Sequence, residues 1–143
     1  MIFKLCVLAL MIVGCVNDIR KMVVPYWEIF LGGALSVLKI ILDILGGNAD
    51  YAGMLLSLLP GIVLLITSYA TRGGIGKGDG LLCLALGPSL GLMNLVIGLV
   101  IAFFISGIFS VFVFVTNKNR TELLIPFVPF MTFGMGVMMF VQI

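Results

Sequence analysis

Long apolar runs divided by short polar interruptions dominate the chain. A helix needs about 20 apolar residues to cross the hydrocarbon of a bilayer. On that measure the sequence predicts six spans: Ile2–Val16, Pro25–Leu45, Ala52–Ala70, Gly80–Met93, Leu95–Thr116 and Leu123–Val141. The fourth is short, so its boundary with the fifth is the least defined. The runs lack the polar–apolar alternation of barrel strands. The predicted fold class is therefore all-α, a polytopic membrane protein with six transmembrane helices, organised as a single membrane-embedded domain over residues 1–143.

Local signals refine these elements. Pro25 suits a first helical turn, where a missing N–H does no harm. Glu28, in that turn, faces the positive end of the helix dipole. Pro60-Gly61 is expected to bend the third span. Lys39 and Asp43 stand four apart and can pair on one helical face. Gly87 and Gly91 share the small-residue spacing that lets helices approach closely. Gly32 and Gly33 are further small residues at which helices can approach closely.

Composition and charge sharpen the picture. Of the 143 residues, 62% are hydrophobic and 10% charged, with a mean hydropathy of +1.33. A soluble domain of this size exposes too much surface to hide such a composition, so the expected solvent is the lipid bilayer. Arg20, Lys21, Arg72, Lys77, Lys118 and Arg120 fall in three alternate loops, which share one side if the six spans hold. Excess Lys and Arg marks the cytoplasmic side. The expected location is the inner, or plasma, membrane. No basic patch interleaved with aromatics points to nucleic acid. Histidine is absent, which removes the commonest general base and metal ligand. Cys6, Cys15 and Cys83 lie in apolar runs without Cys-x-x-Cys spacing and read as buried small hydrophobes. No metal or cofactor is expected. The segment from Lys4 to Cys15 also resembles a lipoprotein signal, but Arg20 and Lys21 directly after it oppose export of that loop, so a retained helix is expected.

Against this apolar background two acids stand out, Asp18 at the end of the first run and Asp79 at the start of the fourth. An ionisable group at membrane depth is costly and marks function. Each has a plain alternative reading. Asp18 can be a solvated interfacial residue paired with Arg20 or Lys21, and Asp79 a helix cap. Asp43 reads as the partner of Lys39, and Asp50 and Glu122 as loop residues. The setting of Asp79 favours function. Gly73, Gly74, Gly76, Gly78 and Gly80 crowd around it, and glycine permits a substrate backbone to lie against the acid. The P-loop spacing is missing, and Asp79 would repel a phosphate.

Three blocks carry a resemblance to the type IV prepilin leader peptidases, a family of membrane aspartic proteases with a Gly-x-Gly-Asp motif. The first runs from Asp18-Ile19-Arg20 to Pro25 and Trp27. The second is Gly76-Lys77-Gly78-Asp79, followed by Leu82 and Ala85-Leu86-Gly87. The third is Pro126-Phe127-Val128-Pro129-Phe130. The resemblance implies Asp18 and Asp79 as the catalytic acids. It adds Gly76, Gly78, Gly80, Pro126 and Pro129 as substrate-binding candidates. It implies a prepilin or pseudopilin precursor as substrate, cut after its short basic leader at the cytoplasmic boundary. Leu81, Tyr26 and Val128 depart from the family pattern, at positions that often hold lysine, a polar residue and glycine. The chain has no room between its first two spans for the Cys-x-x-Cys insert that larger members carry for N-methylation. Two other classes stay open: a small transporter or proton relay, which needs polar groups near the midplane, and a non-catalytic assembly factor of a pilus or secretion machine.

Overall fold

A computed structural model describes residues 2–21, 24–47, 50–71, 76–116 and 126–141. Among them every regular element is a helix: α1 (Ile2–Lys21), α2 (Tyr26–Leu45), α3 (Tyr51–Leu56), α4 (Leu59–Ala70), α5 (Lys77–Leu90), α6 (Leu92–Thr116) and α7 (Val128–Val141). The predicted Arg72, Gly73, Gly74, Lys118, Arg120 and Glu122, and the first turn predicted from Leu123, lie outside the described residues.

The helix ends follow from local chemistry. Arg20 and Lys21 close α1 where cations complement the dipole. Pro25 enters α2 in an extended conformation. The Asp50 carboxylate caps α3 by accepting the Gly53 N–H at 3.0 Å. The third predicted span is interrupted next to Pro60-Gly61. It breaks at Ser57 and Leu58, which leaves Pro60 in the first turn of α4, where it forfeits no hydrogen bond. The fourth and fifth spans divide at Gly91, two residues before the expected end at Met93. Gly91 holds φ +81°, a left-handed conformation that favours glycine. It stands open instead of lining a helix contact as its spacing with Gly87 predicted. Counting α3 and α4 as one rod, two helices, Tyr51–Ala70 and Leu92–Thr116, are long and apolar enough to cross a membrane by length and composition.

α5 sits centrally, packed most extensively on α2 and α4, while α7 packs on α6 and α1. The missing side chains of glycines set these approaches. A Cβ on Gly61 of α4 would lie 2.7 Å from the Leu84 backbone nitrogen of α5. One on Gly134 of α7 would collide with the Gly98 carbonyl of α6. Gly32 abuts Leu86 and Ala85, and Gly87 abuts the Ser57 carbonyl, whereas Gly33 faces open space. The Ser36 hydroxyl donates to the Ala85 carbonyl and ties α2 to α5. Val7 and Met11 of α1, Leu82 and Leu86 of α5, Leu95 and Leu99 of α6 and Met131 and Met135 of α7 form one core. Phe104, Phe112 and Phe114 of α6 point outward. Lys39 and Asp43 pair at 3.7 Å, as their spacing predicted. Cys83 is buried and its thiol donates to the Met131 sulfur at 3.6 Å, but Cys6 is exposed and Cys15 half-buried, so burial describes one of the three cysteines. Their helical faces, which hydropathy of the run does not specify, decide this.

Candidate active site

On α1 a buried stripe runs through Val7, Met11, Gly14 and Asp18, at helical spacings of four, three and four residues. The stripe carries Asp18 inward, against α7. Asp18 is 6% exposed, so it is not the solvated boundary residue of its plain reading. Its Oδ2 accepts the backbone N–H of Val128 at 3.1 Å. Val128 is the first residue of α7, where backbone N–H groups have no partner within the helix and the dipole is positive. A carboxylate from α1 thus caps a helix that lies 110 residues further along.

Asp79 approaches from α5. The helix starts at the Gly76 cap, and Asp79 occupies its third position, with its N–H donated to the Gly76 carbonyl at 3.2 Å. Gly76 has no side chain with which to cap the helix. The carboxylate folds back over Gly76, where a Cβ would stand 2.8 Å from Oδ2. Asp79 is 7% exposed.

Asp18 and Asp79 lie just outside the predicted spans, and their electrostatics are joined. Burial pushes the Asp79 carboxyl up to about 7, and the negative charge on Asp18 adds to the rise. Burial also raises Asp18, while the Val128 N–H opposes that shift by favouring the ionised form. Arg20, Lys21 and Lys77 stand exposed, and both acids are raised rather than lowered. The arrangement can hold one carboxyl protonated beside one ionised.

The glycines around Asp79 divide. Gly76 is exposed beside the acid. A Cβ on Gly78 would meet Val24 at 2.8 Å, and one on Gly80 would meet Leu65 at 2.8 Å, so both let α5 seat closely on its neighbours. Pro126 precedes α7 and Pro129 lies in its first turn; both are half-buried and bracket the Val128 N–H. That contact uses the main chain and does not depend on the side chain at position 128.

A family model described as the type IV leader peptidase family matches residues 5–111, which is 107 of the 143 residues. The chain belongs to that family. No curated protein and no solved structure matches it. The leader peptidase family is one of proteases, and the match encloses both Asp18 and Asp79 but stops short of the Pro126–Phe130 block.

Two features of this leader peptidase family member escaped sequence reasoning. One is the Val128 N–H, a main-chain group that no side-chain pattern announces. The other is Glu28. As predicted, it lies in the first turn of α2, but it is 0% exposed. Its signal was present: an acid embedded in an apolar run, with Gly14 and Asn17 one turn and one residue before Asp18 to make room and contact for it.

Proposed function

We propose that the protein is a membrane aspartic endopeptidase that removes the basic leader from type IV prepilin or pseudopilin precursors at the cytoplasmic boundary of the membrane. One observation carries the reading: two carboxyl groups from α1 and α5 lie buried in an apolar matrix, and the charge of one raises the pKa of the other. Membership of the leader peptidase family supports the substrate class.

In this reading six helical rods cross the membrane, counting α3 with α4. The positive loops that hold Arg20, Lys21 and Lys77 face the cytoplasm. Asp79 begins protonated and Asp18 ionised, and the Val128 N–H favours that assignment. The pair titrates as a unit. Water attacks the scissile carbonyl carbon and gives a proton to Asp18, while Asp79 donates its proton to the carbonyl oxygen. The tetrahedral diol collapses. Asp18 passes its proton to the leaving nitrogen, the C–N bond breaks, and a diol hydroxyl returns a proton to Asp79. Both acids regain their starting states. Gly76 leaves the face of Asp79 open to an extended substrate backbone, with Gly78, Gly80, Pro126 and Pro129 shaping the surrounding main chain.

The test uses Asp18→Asn and Asp79→Asn separately, with leader removal from a co-expressed prepilin as readout. Loss of one acid–base partner lowers rate by about 10²- to 10⁴-fold. Each variant is expected to insert in the membrane and leave the precursor uncut. Full processing by either one removes that residue from the mechanism.

A further inference from the structure

The mechanism above makes no use of Glu28. This side chain is wholly buried in the first turn of α2. Its Oε1 accepts a hydrogen bond from the Asn17 amide at 3.4 Å, and its Oε2 has no hydrogen-bond partner. It fits a notch on α1, where a Cβ on Gly14 would be 2.8 Å from Oε2. Gly14 lies one helical turn below Asp18 on the same buried stripe. The charge on Asp18 is felt at Asp79 and, to a smaller degree than the Asn17 hydrogen bond, at Glu28. Glu28 thus contacts α1 at Gly14 and Asn17, one turn and one residue before Asp18.

A helix-dipole role does not require this burial, because an exposed acid in the same turn serves the dipole equally well. An apolar side chain of similar size would fill the notch without leaving an oxygen unsatisfied. The position holds an ionisable group where packing alone favours none.

We propose that Glu28 is a positioning residue for peptide-bond hydrolysis, forming with Asp18 and Asp79 a three-carboxyl unit that sets the pH range in which Asp18 is ionised while Asp79 keeps its proton. The inference rests on the peptidase reading above. Ionisation of any one carboxyl in such a unit opposes ionisation of the next. The other ionisable groups on the helices packed against α2 are placed to do less. Arg20 and Lys21 of α1 and Lys77 of α5 are exposed, and Lys4 and Cys6 lie at the far end of α1. Cys15 of α1 is half-buried and Cys83 of α5 buried, each beside one of the acids. Lys39 and Asp43, further along α2, pair with each other.

The test is the pH dependence of kcat/KM for leader removal, from about pH 5 to 9, in membranes holding wild type, Glu28→Gln or Glu28→Asp. Removing a neighbouring acid lowers the apparent pKa values that remain, so Glu28→Gln is expected to displace the profile toward acid by about half a unit or more. Glu28→Asp keeps the acid but draws it back, and is expected to shift the profile the same way by less. A purely structural glutamate changes the rate and leaves the profile where it was; that outcome with Glu28→Gln overturns the proposal. If Glu28→Gln does not accumulate, an undisplaced Glu28→Asp profile overturns it instead. An inactive wild type, or an active Asp18→Asn, sinks the peptidase reading itself, whereas an active wild type with an undisplaced Glu28→Gln sinks the role of Glu28 alone.

Discussion

Replacing Asp79 by asparagine is expected to abolish cleavage and, at the same time, to stabilise the fold. Burial holds the Asp79 carboxyl at about 7 against its ordinary 3.8. Below the ordinary value the folded and unfolded chains are both protonated, and the group has no effect on stability. As pH rises past it, the unfolded chain releases the proton while the folded chain retains it, so stability falls. Above about 7 both states are ionised and the loss stays constant. At 1.36 kcal/mol per unit the plateau is about 4 kcal/mol, an upper bound. Asparagine occupies the same space and carries no charge, so the variant escapes this loss. For a domain of this size that corresponds to a rise in Tm of about 10 °C above neutrality. The assay is thermal unfolding of detergent-solubilised wild type and Asp79→Asn at pH 4, 5.5 and 8, set beside prepilin cleavage. The gain is expected to be nearly absent at pH 4, to grow with pH and to level off near neutrality. An equal Tm at pH 8, or a gain of the same size at every pH, refutes the claim that burial raises this carboxyl.

Further outcomes follow from individual contacts. Val128→Pro removes the N–H donated to Asp18, at a helix position that accepts proline; losing a charge-assisted hydrogen bond of about 1.5–3 kcal/mol should slow cleavage by about 10- to 100-fold, whereas Val128→Ala, which keeps the N–H, should retain most of the rate. Gly134→Val drives a side chain into the Gly98 carbonyl and is expected to cost about 1–3 kcal/mol, read as lower Tm. Gly107→Ala, with nothing within 4 Å of the new Cβ, should be neutral or stabilising in the same measurement. Lys39→Ala breaks a pair whose side chains are about one-third exposed and should change stability by less than about 1 kcal/mol.

The sequence made legible whatever depends on neighbours along the chain. Apolar run length located the helical runs, though not the division of the third into α3 and α4, and the lone acids at run ends singled out Asp18 and Asp79 as candidates. The Lys39–Asp43 pair followed from spacing alone. What escaped depends on contacts between distant segments. Asp79 is not the cap of its plain reading, because Gly76 takes that place, but it does stand in the first turn, where an acid suits the helix N-terminus. The break falls within one turn of the bend expected at Pro60-Gly61, but the Ser57 carbonyl there abuts Gly87 of α5, a contact invisible within the third run. Val128 looked like a departure from a glycine-bearing motif, yet its contact with Asp18 runs through the main chain. Glu28 looked like a dipole partner because periodicity cannot say that α1 covers it.

The bond between Asp18 and the first N–H of α7 also orders events during synthesis. These groups are 110 residues apart, so at about 5–20 residues per second the ribosome delivers the second roughly 5–20 s after the first. Throughout that interval α1 is already made while its acid still lacks the donor that favours its charged state. The contact that ties α1 to α7 therefore forms only once the chain has been made as far as Val128, and until then Asp18 goes without that hydrogen bond.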